Sequence, residues 1–368
     1  MALHESQKDM WEHSAKKVEL LHHYLNEYLP VIGSDVYTDV IHCFDLFCGE
    51  GVYPNGGEGS PLVFARLLKG WAAKCPGKKF SFHYNDKDSA KVENVTNRIT
   101  DLGLAPPNLK ITPSVLPFDQ IMQTVRHKIA ELRKEKAFLF IDPYGYKEIK
   151  PHLISDLMKG GKTEVLLFLP TQQMFRFSNK GTPEALSEFL APLHDGSGLP
   201  ACQSIFEYVS FIVRGFRRFM PDCYVDNFTI RKDPKTAFCL FFFTSNLKGA
   251  EKMLEAKWKL DEQQGAGWSY QAGYACDLLI KEADFHPLEK MIESRLRAAP
   301  QTNAVLYEAT LRAGYLPKHA LQVLSQMQKD HRIRVSPERT RAGAFYLNYG
   351  ATHGANASEH HSITIHLL

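Results

Sequence analysis

The stretch "FDLFCGEGVYPNGGEGSPLVF", residues 44 to 64, joins an apolar strand to an apolar helix through a turn rich in glycine. Glycine directly after a first parallel strand lets the backbone approach a ligand closely beside a helix N-terminus. Short apolar runs and helical segments alternate around this turn, as far as "TEVLLFLP" at residues 163 to 170. This alternation is typical of βαβ units and predicts an α/β fold with a Rossmann-like parallel sheet.

The spacing of apolar residues divides the chain into four segments. Residues 1–35 are expected to contain an amphipathic helix that packs on the core. Residues 36–285 form the Rossmann-like domain, which is elaborated after its fifth strand. Residues 286–350 read helix, helix, strand, turn, strand, with the strands at "RIRV" and "AFYL", and this order predicts a small winged helix-turn-helix domain. Residues 351–368 are expected to form a flexible tail.

Composition says little about partners but indicates a compartment. The 368 residues include 44 Lys and Arg against 41 Asp and Glu, so the net charge of +3 creates no strong overall field toward nucleic acid or membrane. The seven cysteines contain no Cys-x-x-Cys pair, and the longest apolar run is too short to cross a bilayer. We therefore expect a cytoplasmic protein without a membrane partner. No metal site is expected, because the histidines lack the spacing of metal ligands.

The glycine-rich turn favours one nucleotide-like cofactor over two others. A P-loop is excluded because no Gly-Lys-Ser/Thr follows, and the dinucleotide fingerprint lacks its third glycine. S-adenosylmethionine remains, since its enzymes use an acid after strand one, a loose Gly-x-Gly turn and an acid after strand two that accepts hydrogen bonds from the ribose diol. "HYNDKD" offers Asp86 for the last role, with Asp88 as the alternative. The expected cofactor contacts are Asp45, Phe47, Gly49, Gly51 and Asp86.

A second motif, "FLFIDPYGYKEI", follows the fourth apolar run. Methyltransferases of amino groups in nucleic acids carry Asp/Asn-Pro-Pro-aromatic here, with the acid on the target amine and the aromatic stacked on a flipped base. Asp142, Pro143 and Tyr144 are therefore the expected catalytic residues. Tyr144 stands where the motif has its second proline, and either it or Tyr146 is available for stacking. The alternative is an acid beside a proline in an ordinary strand-to-helix turn.

These stretches resemble the three-Cys-motif partner family, a bacterial and phage-borne family of presumed methyltransferases. The resemblance covers about residues 13 to 260 and is carried by "AKKVELLHHYL", the glycine-rich stretch, "FLFIDPYGY" and "EVLLFLPTQQMFRF". It implies a Rossmann-like methyltransferase fold, often with an appended winged helix, and a radical-type iron–sulfur protein as partner. The three cysteines belong to that partner. Where this chain has Cys48-Gly49-Glu50-Gly51, the family usually has Ala-Gly-Pro-Gly.

Basic residues in three places are candidates for nucleic-acid contact. Lys318 and His319 lie at the start of the second helix of the predicted winged helix, and Arg339 and Arg341 lie in its wing. Arg176 follows the fifth apolar run, near the expected site. The alternative for the winged helix is a protein-contact or dimerisation module. In "VRGFRRFM", residues 213 to 220, arginines alternate with phenylalanines, and we expect an amphipathic helix with a phenylalanine core rather than a nucleic-acid groove.

The sequence thus favours transfer of a methyl group from S-adenosylmethionine to a base nitrogen of DNA or RNA. The alternative is a non-catalytic nucleic-acid-binding adaptor that keeps the same fold. A nuclease or other hydrolase is the third hypothesis, for which the sequence offers no carboxylate cluster.

Overall fold

The computed structural model describes residues 5–53, 56–178, 181–194, 196, 202–233, 236–269, 283–337, 344–353 and 362–368. The chain divides into two compact units, of which the first comprises Met1–Gly249 with Gly267–Asp277 and the second Ala250–Ala266 with Leu278–Leu368. Within the described residues, no helix has the length and apolar content that crossing a membrane requires.

The first unit is built on one large sheet. Its strands are β1 (Val40–Asp45), β2 (Lys79–Asn85), β3 (Leu109–Ser114), β4 (Glu135–Ile141), β5 (Thr163–Leu169), β6 (Tyr224–Asp233), β7 (Thr236–Thr244) and β8 (Gly267–Ser269). In the described part of the chain their order is β3-β2-β1-β4-β5-β7-β6-β8, with β1 to β5 parallel and β7 antiparallel to both β5 and β6. The predicted α/β class with a Rossmann-like, mainly parallel sheet is confirmed.

The helices that accompany these strands are α1 (Glu5–Ser34), α2 (Ser60–Lys74), α3 (Ser89–Asp101), α4 (Phe118–Ala130), α5 (Pro151–Met158), α6 (Thr171–Ser178), α7 (Glu184–Leu190), α8 (Ile205–Phe219) and α9 (Leu247–Leu260). Helix α1 precedes β1, and α2 to α6 each follow one of the five parallel strands, as an alternation of strands and helices predicts. In α8, Phe211 and Phe216 are buried, and Arg217 donates to the carbonyl oxygen of Val225 at 2.9 Å. The preferred interpretation of "VRGFRRFM" as an amphipathic helix is therefore confirmed.

Helices cover both faces of the sheet. Successive residues of a strand point to opposite faces, so two neighbouring residues of β4 show what covers each face. On β4, the ring centroid of Phe138 lies 5.4 Å from that of Tyr24 of α1 and 6.0 Å from that of Phe64 of α2. The next residue, Leu139, lies in the core cluster that contains Val125 of α4. A strand buried on both faces explains why the sequence of each parallel strand is an almost continuous apolar run.

Helix α1 is held on the sheet by a buried polar network. The Tyr24 hydroxyl donates to Oε2 of Glu164 on β5, and the Thr244 hydroxyl of β7 donates to Oε1 at 2.8 Å. Burial raises the pKa of Glu164, and the two hydrogen bonds oppose that rise. The hydroxyl of Tyr28, one turn further along α1, is buried with no hydrogen-bond partner in the described structure.

The second unit contains α10 (His286–Ala298), α11 (Asn303–Arg312), α12 (Pro317–Lys329), α13 (Tyr349–Thr352) and the short strands β9 (Gln301–Thr302), β10 (Ile333–Ser336) and β11 (Thr364–Leu367). The strands form an antiparallel sheet in the order β10-β11-β9. The two predicted helices, α11 and α12, thus directly precede β10, and the assignment of a winged helix stays a prediction.

Two sequence predictions for this unit are wrong. "AFYL", residues 344 to 347, does not form a strand, and β10 pairs instead with β11 from the segment expected to be a flexible tail. The tail is held because Ile363 and Ile365 are buried. The domain boundary also differs from 285/286, since residues 250–266 belong to the second unit.

The buried network of α1 gives a test with a matched control. Tyr24→Phe removes the donor to a buried carboxylate, so we expect a loss of about 1–3 kcal/mol in the free energy of unfolding. Tyr28→Phe removes a hydroxyl that has no partner and should be neutral or stabilising. Thermal unfolding of both variants measures the difference, and equal effects of the two substitutions would contradict the role assigned to Glu164.

Candidate functional site

Three carboxylates lie at the carboxyl-end edge of the parallel strands. Asp45 is the last residue of β1, Asp86 follows β2 and Asp142 follows β4. The negative charges of Asp142 and Asp86 both act on Asp45, which places the three groups in one electrostatic environment. Since β1 lies between β2 and β4, this is the point at which the strand order reverses, and ligands of open α/β sheets bind there.

The glycine-rich turn closes on itself directly above β1. Gly49 and Gly51 have φ angles of +59° and +77°, a conformation that other residues rarely adopt. A side chain on Gly51 would also lie 2.8 Å from Cγ2 of Val95 on α3. The Gly59 amide donates to the Gly51 carbonyl oxygen at 2.7 Å, which brings the chain back to the start of α2. These contacts hold the described residues on either side of positions 54–55 together, and Glu50 is exposed.

Asp45 is fully buried, and neither of its carboxylate oxygens makes a hydrogen bond of good geometry in the described structure, although the Ser60 hydroxyl and the Phe47 amide lie nearby. Burial raises the pKa of this carboxyl to about 7. The neighbouring Ser60 hydroxyl and Phe47 amide oppose the rise, whereas the charges of Asp142 and Asp86 add to it. A buried carboxylate without a partner is costly, so this group is poised to accept hydrogen bonds from a ligand or to pair with a positive charge.

Asp86, rather than Asp88, is the acid of "HYNDKD" that lies in the site. Its Oδ2 accepts from the Gly49 amide at 3.2 Å and its Oδ1 from the Asp88 amide at 3.1 Å. Asp86 is buried, whereas Asp88 is exposed and caps α3 by accepting from the Ala90 amide at 3.0 Å. Each oxygen of Asp86 keeps acceptor capacity for a ligand, because a carboxylate oxygen accepts about two hydrogen bonds.

Asp142 is already engaged by a residue that sequence reasoning did not select. Its Oδ2 accepts from the Lys17 ammonium of α1 at 2.6 Å. Tyr53, in the glycine-rich turn, is close enough to Asp142 and Asp45 for their charges to raise its pKa, after burial as the main cause. Lys17 precedes Asp142 by 125 positions, so no local pattern could reveal this pair.

Beyond Asp142, the motif divides into buried and exposed residues. Pro143 and Tyr146 are buried, while Tyr144 is 70% exposed. Of the two tyrosines that the sequence offers for stacking, only Tyr144 presents its ring to an external partner. Its hydroxyl accepts from the Lys91 ammonium at 2.7 Å, which holds the ring at the edge of the site.

A cavity of about 450 Å³ opens at the same edge. Its lining residues come from the segments after the five parallel strands and include Phe47, Asp86, Leu116, Phe118, Tyr144 and Phe177. The rings of Phe47 and Phe118 stack at 5.0 Å. Asn85 fixes the wall after β3, because it accepts from the Leu116 amide at 3.1 Å and donates to the Leu116 carbonyl at 3.0 Å. The cavity thus combines apolar walls with two carboxylates, Asp86 and Glu148, and two lysines, Lys87 and Lys147.

The residues predicted to contact nucleic acid have different positions. Arg176 is exposed on α6, next to Phe177 of the cavity wall, and Lys318 is exposed in the first turn of α12. Arg339 and Arg341 lie outside the described residues. The prediction for His319 is wrong, because its ring is buried in the second unit.

His319 is a structural residue of the second unit. Its ring lies 4.2 Å from that of Trp258 and 4.6 Å from that of Phe285. Its Nδ1 accepts from the Leu316 amide at 3.2 Å and so caps the start of α12. Burial lowers the pKa of His319 to about 4, so the ring is neutral at pH 7 and contributes no charge to a nucleic-acid contact.

Comparisons with known proteins add little to this geometry. No protein-family model matches the sequence, and no curated protein sequence matches it. Among solved structures, the chain is similar to a dimethyladenosine transferase from Plasmodium falciparum, with 10% sequence identity and a TM-score of 0.29. The match covers 83% of this chain and 96% of that chain. A TM-score this low carries no argument about function.

The raised pKa of Asp45 predicts a particular dependence of stability on pH. The folded protein holds the proton more tightly than the unfolded chain, so Asp45 lowers the free energy of unfolding as the pH rises from its ordinary pKa of 3.8 through about 7. Asp45→Asn removes this effect. The variant should gain stability relative to the unmodified protein, by up to about 4 kcal/mol, between pH 4 and pH 8.

Denaturation with urea at several pH values measures this difference. A constant difference between the two proteins across the range would mean that the Asp45 carboxylate is solvated or paired in solution.

Proposed function

We propose that this chain is an S-adenosylmethionine-dependent methyltransferase that acts on a base nitrogen of nucleic acid. The observation that carries the proposal is the fully buried carboxylate of Asp45, which makes no hydrogen bond of good geometry in the described structure, beside Asp86 and the glycine turn. An anionic pocket at the switch point of a parallel sheet suits a ligand that combines a cationic group with a diol. The adaptor and hydrolase alternatives give no reason to keep such a carboxylate buried.

The residues present fit this cofactor. Asp45 would face its positively charged part, and Asp86 would accept hydrogen bonds from the ribose diol while it keeps its bond to the Gly49 amide. Phe47 and Phe118 give the cavity apolar walls for a base. When bound, the cofactor supplies a methyl group on a positively charged sulfur.

Asp142 is assigned to the acceptor. Its carboxylate would accept a hydrogen bond from the amino group of a base and hold the nitrogen in line, so that positioning and electrostatic preorganisation supply the rate. Pro143 would rigidify the turn that carries it, and the exposed ring of Tyr144 is available to stack on a base that has left its helix.

Nucleic acid would approach this edge and the second unit. Arg176 is exposed on α6, and Lys318 is exposed in the first turn of α12, the position from which a recognition helix contacts nucleic acid. Arg339 and Arg341 remain candidates by sequence alone. The winged-helix assignment and a partnership with a radical-type iron–sulfur protein likewise rest on the sequence resemblance.

One observation favours a second candidate function. The acceptor carboxylate of Asp142 is already paired with Lys17. A protein that had kept the fold as a nucleic-acid-binding adaptor would tolerate a permanently closed acceptor position, whereas an enzyme must open it.

If the proposal is right, substitution of Asp86 should weaken cofactor binding, whereas substitution of Asp142 should slow methyl transfer. Asp86→Ala removes a charge-assisted contact worth about 1.5–3 kcal/mol, so the affinity for S-adenosylmethionine should fall by roughly tenfold to a hundredfold. Asp88→Ala, which removes only an exposed helix cap, is the matched control and should bind as the unmodified protein does. Isothermal titration calorimetry measures the cofactor affinity of the unmodified protein and of both variants.

Asp142→Ala should keep its affinity for the cofactor and lose methyl transfer by about a hundredfold, since only the acceptor contact is removed. Transfer of a radiolabelled methyl group to mixed DNA and RNA gives the rate. If the unmodified protein binds no S-adenosylmethionine, even with nucleic acid present, the methyltransferase proposal fails and the adaptor is favoured.

Lys318 and Lys329 allow a comparison within one helix. Both are exposed, but Lys318 lies in the first turn of α12 and Lys329 in its last. Lys318→Ala should weaken binding to duplex and single-stranded oligonucleotides and reduce the slope of log affinity against log salt by about one. Lys329→Ala should change neither quantity. Equal effects of the two substitutions would show that α12 does not approach nucleic acid through its first turn.

A further inference from the structure

The Lys17 ammonium is enclosed by the site. The Lys17 side chain is only 11% exposed and that of Asp142 21%. Besides its hydrogen bond to Asp142, the ammonium lies 4.1 Å from the ring centroid of Phe168 on β5. An ammonium that is shielded from water and contacts both a carboxylate and an aromatic face differs from the ammonium of a solvated surface ion pair, because its position is specified by the protein.

Helix α1 does not need this ion pair to stay on the sheet. Leu21, Leu25 and Leu29 are fully buried along one face, and Tyr24 adds its bond to Glu164. The apolar face and the Tyr24 bond already account for the docking of α1. Lys17 lies beyond them, where α1 reaches the edge of the sheet that carries the candidate site. The pair is therefore better explained by the site than by the anchoring of the helix.

The same end of α1 makes a second contact with the site. Ser14, one helical turn before Lys17, lies close enough to the Tyr53 hydroxyl in the glycine-rich turn to oppose the rise in its pKa. Residues at i and i+3 share a helix face, so one face of α1 presents both polar groups to the candidate site. Helix α1 is thus part of the wall of the site.

We propose that the Lys17 ammonium competes with the acceptor amine for the Asp142 carboxylate. In the free protein its ammonium donates to the carboxylate oxygen of Asp142, and a base that carries an exocyclic amino group displaces it. This inference rests on the proposed assignment of Asp142 to the acceptor. It adds regulation to that site, since only a base that donates a hydrogen bond competes with Lys17 for the Asp142 carboxylate.

Lys17 would therefore lower the affinity for adenine and cytosine and leave the affinity for thymine unchanged. The amino groups of the first two donate to a carboxylate, whereas the carbonyl oxygen at the corresponding position of thymine is repelled by it. Lys17 acts through Asp142 and is a positioning residue rather than a catalytic one. Selectivity between these bases is a property that a merely structural ion pair would not affect.

The test compares binding of two probes without cofactor. Fluorescence anisotropy at fixed salt gives the affinity of one single-stranded oligonucleotide of adenine and cytosine only, and of another, equally long, of thymine only. Lys17→Met should increase the affinity for the first by about tenfold, the scale of one charge-assisted contact, and leave the second unchanged. Lys17→Arg keeps the pair and should resemble the unmodified protein.

Lys16→Met is the matched control. Lys16 is the adjacent residue, pairs with Glu19 at 2.6 Å, and its loss removes the same charge without freeing Asp142. If Lys17→Met changes both probes equally, or changes neither, the inference is wrong.

A second measurement uses the unmodified protein, so it does not depend on the folding of a variant. Acylation of lysines, followed by mass spectrometry, should label Lys17 more slowly than Lys16 in the free protein. The adenine and cytosine oligonucleotide should accelerate labelling of Lys17, and the thymine oligonucleotide should not. Labelling of Lys17 that the first probe leaves unchanged would overturn the inference.

These outcomes are separable from those for the proposed function. Absence of S-adenosylmethionine binding refutes the methyltransferase and leaves the base selectivity of Lys17→Met interpretable. Conversely, methyl transfer without that selectivity refutes only the role of Lys17.

Discussion

The site depends on the parallel pairing of β1 with both β2 and β4. The register places Asp45 beside Tyr84 of β2 and Phe140 of β4, so three strands end within two residues of one another. Their following residues include two further carboxylates. Like charges are brought together here by the backbone hydrogen bonds of the sheet, which are too numerous for the repulsion among three acids to break.

The cost of this arrangement is concentrated at Asp45. Its carboxylate is buried without a hydrogen bond of good geometry in the described structure, and its raised pKa is the thermodynamic sign of that cost. Natural proteins tolerate such groups mainly where a ligand completes them. The two other acids are satisfied within the protein, Asp86 by backbone amides and Asp142 by Lys17. The site thus contains one open acceptor and two that already accept hydrogen bonds, Asp86 from backbone amides and Asp142 from an ammonium.

Helix α1 has two functions, one in the core of the first unit and one at the candidate site. Its apolar face and the Tyr24–Glu164 bond complete the core of the first unit, while Ser14 and Lys17 reach the ligand edge. A helix that is rigidly docked by its core face can hold a charged side chain at a fixed distance from a partner on the sheet. Such a fixed position is required of a lysine that must be displaced before a ligand can bind.

The sequence by itself determined the α/β class, the alternation of parallel strands with helices, and the turn that carries Gly49 and Gly51. These features follow from the period of apolar residues and from the backbone freedom of glycine, which are local properties. It also indicated Asp45 and Asp142 as acids at strand ends. Only the tertiary structure chose Asp86 over Asp88, because that choice depends on which carboxylate meets the Gly49 amide.

Other assignments needed contacts between distant parts of the chain. His319 has the position of a contact residue in the sequence, yet packing against Trp258 and Phe285 buries it. The expected tail supplies β11, because Ile365 finds an apolar interior. The pair of Lys17 with Asp142 joins residues 125 positions apart, and no periodicity records it. Local sequence sets the conformation of each segment, whereas burial and pairing are decided by segments that meet only after the chain has folded.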